Sequence, residues 1–145
     1  MRENMQCYRL RLVRERSIPY KAGLDGPQVV YDFCRHYFKD KDREYAIVLA
    51  LDVKNQIIGI NVVAVGTLDA ALVHPREVFK FAILANASVI IFAHNHPTGN
   101  TDPSSDDITL THKLNEAGEL LQIKLLDSII IGGANVYSFA TEKLL

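Results

Sequence analysis

The sequence predicts an α/β domain, a mixed curved β-sheet flanked by helices. Three observations carry that expectation: β-branched runs of strand length, amphipathic stretches of helical period between them, and 145 residues, a length suited to one core. Strands interleaved with helices along the chain are the pattern of a sheet covered by helices.

Gln6–Val13 alternates in polarity and is expected to be a strand at the sheet edge, with Pro19, Gly23 and Gly26 marking the loop after it. From Pro27 to Phe38 the apolar residues Val30, Phe33, Cys34 and Tyr37 recur at three- and four-residue spacing, which predicts a helix ended by the charged run Lys39–Glu44. Tyr45–Leu51 and Ile57–Val65, joined by Asp52–Gln56, read as a hairpin of central strands packed on both faces. Pro75 is well placed as an early helical residue and Glu77 complements the helix dipole in the first turn, so Pro75–Asn86 reads as a second helix. That helix is apolar almost all round and is expected to be buried. Ser88–His94 is a strand that stops at the loop Asn95–Asn100. Beyond Pro103 a third helix carries Leu110, Leu114, Ala117 and Leu121 on one stripe; Gln122–Ile131 and Val136–Phe139, separated by Gly132-Gly133, are the last strands.

Composition bounds the function. Hydrophobic residues make up 48% and charged residues 23%, as in an ordinary globular chain, and no linker or repeat divides it, so residues 1–145 are expected to form one domain. A net charge of -1 lacks the basic excess that many phosphate contacts require, which disfavours nucleic-acid binding. The first sixteen residues are a local exception, where Arg2, Arg9, Arg11, Arg14 and Arg16 against Glu3 and Glu15 leave +3; on an edge strand such arginines discourage aggregation. Cys7 and Cys34 form no Cys-x-x-Cys pair and no secretory signal is visible, so a cytoplasmic location is expected. The apolar runs are too short to span a bilayer, which needs about 20 residues.

One constellation carries chemistry. Residues i and i+2 of a strand share a face, about 6.5–7 Å apart, so His94 and His96 are spaced to converge on one ion where a buried strand opens into a loop. The other histidines examined for this role, His36 and His112, read as surface residues. The third ligand expected is Asp107, in the first turn of the helix that opens near Ser104. Ser104-Ser105-Asp106-Asp107 also reads as a helix cap with acids in its first turn, and capping is compatible with ligation because it fixes the carboxylate. Three protein ligands leave the fourth tetrahedral position of a zinc ion for water, the pattern of a catalytic site. Neither cysteine is placed to close it.

The string from His94 to Asp107 fits His-x-His-Pro, six further residues, Ser, two residues and Asp, and so resembles the JAMM (MPN+) zinc metalloprotease signature. Around it, Leu51–Asn55, Gly66-Thr67-Leu68, His74–Phe79, Asn86-Ala87 and Tyr137-Ser138-Phe139 resemble blocks of the RadC branch, in order, over about residues 26 to 140. The resemblance implies a cytidine-deaminase-like MPN/JAB architecture and a zinc hydrolase that cleaves a peptide or isopeptide bond in a peptide or protein substrate. It implies metal ligation by His94, His96 and Asp107, and help from Ser104 in stabilising the tetrahedral intermediate. It also implies an upstream glutamate that takes a proton from water and passes it to the leaving amine. Glu44, 50 residues before His94, opens a strand and shares a face with Ala46, Val48 and Ala50; Glu77 is 17 residues before His94 and sits in a helical first turn. Glu44 is preferred, and Glu77 with Arg76 reads as a helix-start ion pair beside His74.

The chain departs from the pattern in places. Asn95 stands where deubiquitinating members have Ser or Thr, and the inserted segments that grip ubiquitin are missing, so ubiquitin cleavage does not carry over. Ser128 stands where RadC relatives often have His, Thr141-Glu142-Lys143 replaces the usual ending, and a helix-hairpin-helix module is missing. A non-enzymatic or catalytically inactive DNA-repair-associated accessory protein is the alternative, motivated by the RadC resemblance and the arginine-rich start. His94-Asn95-His96 is not an HNH nuclease motif, whose residues lie apart, and no His-x-Glu with Pro-Cys-x-x-Cys supports a deaminase.

Overall fold

A computed structural model describes residues 1–20, 26–66 and 73–145. Among the described residues, three helices and five strands follow one another as α1 (Pro27–Phe38), β1 (Tyr45–Leu51), β2 (Ile57–Val65), α2 (Pro75–Leu84), β3 (Val89–Asn95), α3 (Ser105–Leu121), β4 (Lys124–Gly132) and β5 (Asn135–Ser138). The strands form one open sheet in the order β2-β1-β3-β4-β5. Only the β3–β4 pair is parallel, with α3 as its crossover; the other three pairs are antiparallel. The α/β expectation therefore holds, as a mixed sheet with helices on both faces.

Side-chain alternation divides the core in two. Ala46, Val48, Ala50, Ile90 and Phe92 face α2 and α3 and pack with Val78, Phe79, Leu110 and Leu114. Ile47, Leu49, Ile91, Ala93 and Ile129 face α1 and pack with Val30, Cys34 and Phe38. Burial pushes the Cys34 thiol up to about 12, so it stays protonated in this apolar layer. Ser128, at the position where relatives often carry His, is fully buried and accepts a hydrogen bond from the Thr111 hydroxyl at 3.0 Å, tying α3 to β4. Asp127 accepts from the Ser138 hydroxyl at 2.6 Å and from the Ala140 backbone N–H at 3.0 Å, which fixes β5 and the turn after it.

Three expectations are corrected. Gln6–Val13 is not a strand: it pairs with nothing among the described residues, and Tyr8, Leu10 and Val13 are exposed. Alternation makes a segment fit to be a strand but does not supply a partner edge. β2 is not central, since β1 takes the interior place between β2 and β3, leaving Ile58, Val62 and Val65 exposed on the edge strand. α2 ends at Leu84 and buries only Val78, Phe79 and Ala82, with Ile83 half exposed. Gly23 and the pair Thr67-Leu68 lie outside the described residues. No helix among the described residues is long and apolar enough to cross a membrane.

Gly118 shows how closely α3 is seated. A Cβ there would lie 2.5 Å from the Ile123 carbonyl oxygen and 3.4 Å from the Leu125 nitrogen, both backbone atoms that cannot swing away. Gly118→Ala is expected to destabilise the fold by up to about 2 kcal/mol in urea unfolding, because a crowding cost of about 1–3 kcal/mol is set against a helix-propensity gain of about 1.

Candidate metal centre

The centre forms where β3 ends against the start of α3. His94 is fully buried, two residues beyond Phe92 on the face that meets α2 and α3, and His96 follows on the same side with its side chain 15% exposed. Asp107 is brought to them by the cap of α3. The Ser104 hydroxyl oxygen accepts from the Asp107 N–H at 3.1 Å, and the Asp107 carboxylate accepts from the Ser104 N–H at 2.8 Å. This reciprocal box gives the carboxylate one orientation. The predicted cap and the predicted ligand are thus one arrangement.

The three side chains converge. His94 Nε2 lies 3.2 Å from His96 Nε2 and 3.2 Å from Asp107 Oδ1, and His96 Nε2 lies 3.3 Å from Asp107 Oδ2. A tetrahedral ion bonded at about 2.0–2.1 Å separates its ligand atoms by about 3.3–3.4 Å, close to the separation of the two imidazole nitrogens, while the Asp107 carboxylate turns one oxygen to each imidazole. His94, His96 and Asp107 are able to hold a metal ion.

Hydrogen bonding assigns the ligand nitrogen of His96. Its Nδ1 lies 2.8 Å from the Asn100 carbonyl oxygen, which only accepts, so Nδ1 carries the proton and Nε2 presents its lone pair to the cluster. His94 Nδ1 is buried with no partner among the described residues, so the polar surroundings of His94 lie at Nε2. The bond to Asp107 raises the His96 imidazole above its ordinary value against the effect of burial, with smaller help from Asn100 and the Glu44 charge. Burial pushes the Asp107 carboxyl up, but hydrogen bonds with His94 and His96 outweigh it and hold it well below the usual carboxylate range. An anion beside two imidazoles is the charge balance that a cation completes by taking the place of a proton.

Glu44 and Glu77 part company. β1 pairs with β3 as far as Ala46 and His94, and half-buried Glu44 comes two residues before Ala46, on the same alternating face. Glu77 forms an exposed ion pair with Lys80 at 2.9 Å, so its partner is Lys80 and not Arg76. Ser104 is exposed beside Asp107, its hydroxyl oxygen engaged by the cap. His36, His74 and His112 are exposed and join no metal-ligating group among the described residues.

Two supporting parts were not anticipated from sequence. The Asn100 carbonyl is a backbone group, invisible in side-chain patterns. Gly132, read only as part of a turn, is the second. A Cβ there would lie 2.5 Å from the Gly99 carbonyl oxygen and 2.8 Å from Thr101 Cγ2, so glycine lets β4 lie against the loop whose Asn100 orients His96. Gly132→Ala is expected to weaken metal affinity by about 10–100-fold, the range for disturbed second-layer support, as read by competition with a chelating dye.

Residues 24–144 match the RadC-like JAB domain family. The chain is 44% identical over 120 residues to a UPF0758 protein of Geotalea uraniireducens, covering 83% of this chain and 53% of that protein. It is 41% identical over 137 residues to a UPF0758 protein of Chlorobaculum tepidum, covering 94% and 60%, and 43% identical over 122 residues to one of Methanosarcina mazei, covering 84% and 53%. It thus spans about half the length of the curated relatives it matches. With its five-stranded mixed sheet and clustered His94, His96 and Asp107, the chain belongs to the RadC-like JAB domain family.

Proposed function

We propose that this chain is a zinc-dependent metallohydrolase acting on a peptide or isopeptide bond. The observation that carries the reading is the pairing of two features at one sheet end: a His-His-Asp cluster able to hold a metal ion, and Glu44 two residues before Ala46, the strand partner of His94. Two imidazoles and a carboxylate suit zinc, with three protein ligands and a fourth position open. When bound, zinc supplies Lewis acidity and lowers the pKa of water toward ~7.

The protein's own groups supply the remainder. Glu44 accepts a proton from the attacking water and delivers it to the departing amine, which otherwise leaves as a poor anion. The Ser104 hydroxyl stabilises negative charge on the former carbonyl oxygen. Asn100 and the α3 cap keep His96 and Asp107 in place throughout, so little reorganisation is needed as charge develops. Incubating zinc-loaded protein with a library of peptides and isopeptide-linked conjugates tests the reading. Chelator-sensitive cleavage lost in His94→Ala is expected, and cleavage that survives in that variant refutes it.

A second reading, a DNA-associated accessory role, draws on the exposed arginine-rich segment before Ser17. Phosphate neutralisation makes binding fall steeply with salt, so the absence of DNA binding at low salt rejects it.

A further inference from the structure

Asn95 lies between two cluster histidines in sequence yet takes no part in the cluster. It is buried, 4% exposed, and its side chain performs a different task. The backbone ladder between β1 and β3 has its last pair at Ala46 and His94, after which the His96 N–H turns to the Ile131 carbonyl of β4 at 2.8 Å. Beyond that pair the Asn95 side chain reaches the start of β1. Its Oδ1 accepts from the Tyr45 N–H at 2.7 Å, and its Nδ2 donates to the Arg43 carbonyl at 3.0 Å.

Those two backbone groups belong to the peptide units on either side of the Glu44 Cα. A planar peptide unit has one orientation once its bonded group is fixed, so holding both units sets φ and ψ of Glu44 and therefore the direction of its Cα–Cβ bond. The Glu44 carbonyl is held from the other side by the Gly66 N–H at 2.8 Å. Only an amide offers a donor and an acceptor one carbon apart: Asp lacks the donor, and a Ser or Thr hydroxyl is a single short atom.

We propose that Asn95 is a positioning residue that aims Glu44 at the metal centre. The inference rests on the reading of Glu44 as the acid–base group, but its structural part is separately measurable. In zinc-loaded Asn95→Ala, zinc content is expected to stay at the wild-type level. The Tyr45 amide is expected to exchange faster by roughly tenfold or more, and the nuclear Overhauser contact between the Glu44 side chain and the His96 ring to disappear. Persistence of that contact overturns the proposal. If Asn95→Ala does not fold, Asn95→Asp serves instead: it keeps the acceptor for Tyr45 and loses the donor for Arg43, so the contact should weaken with Tyr45 still protected.

Peptide turnover supplies an independent arm. Asn95→Ala is expected to lower kcat by about 10²-fold with little change in KM, the scale of a small misplacement of a reacting group, and to add nothing in a Glu44→Gln background. Additive losses contradict positioning through Glu44. Wild-type turnover in Glu44→Gln alone removes the acid–base reading, while the Overhauser comparison still decides whether Asn95 places Glu44.

Discussion

Glu44→Gln is expected to reduce hydrolytic turnover by about 10²–10⁴-fold while leaving metal content unchanged, because the amide keeps the shape of the side chain but neither accepts nor relays a proton. The structure makes this a selective test. Glu44 lies two residues before Ala46, the strand partner of His94, and supplies none of the three converging ligand atoms, so its replacement spares the cluster of His94, His96 and Asp107. Glu77→Gln is the matched control. Its carboxylate pairs with Lys80 on the surface of α2, an exposed contact worth at most about 1 kcal/mol of stability, and turnover should be unaffected. A loss in Glu77→Gln with none in Glu44→Gln would reverse the assignment.

Removing a ligand should act on both metal content and stability. His94→Ala combined with Asp107→Asn is expected to lower bound zinc from about one per chain to background, beyond the roughly 10–100-fold cost of disturbing a supporting residue. Asn is chosen at position 107 because its side-chain oxygen still accepts from the Ser104 N–H. Asp107→Ala would also lose that half of the capping box, and caps are worth about 0.5–2 kcal/mol. At a hundredfold excess over Kd, zinc should stabilise wild type by about 2.7 kcal/mol, seen as a rise in Tm that the double variant lacks. Equal rises in both proteins would place the ion elsewhere.

Much of this was legible in the residues. α1, β1 and β2 lie where periodicity and apolar runs put them, because a helix of period 3.6 and a strand of period 2 leave different marks on a core-facing segment. Ser104 and Asp107 were readable as a cap because capping is local chemistry, and the cap turned out to be what presents the ligand. Partners distant in sequence were harder to read. Gln6–Val13 alternates like a strand but finds no edge among the described residues, and an apolar run such as Ile57–Val65 does not reveal which neighbour occupies the centre of the sheet. The Asn100 carbonyl, the clearance at Gly132 and the double grip of Asn95 depend on how β1, β3, β4 and the loop after His96 meet. No spacing within the chain encodes those meetings directly. The preference for Glu44 over Glu77 rests on strand alternation, and the Glu77 carboxylate pairs with Lys80 at the surface.

Zinc-edge X-ray absorption on the purified, zinc-loaded chain tests the metal centre most directly. The predicted first shell contains only nitrogen and oxygen at about 2.0–2.1 Å, with the outer-shell scattering of two imidazole rings, and both ring signals vanish in a His94→Ala, His96→Ala variant. A sulfur shell at about 2.3 Å, or an unchanged spectrum in that variant, would contradict ligation by His94, His96 and Asp107.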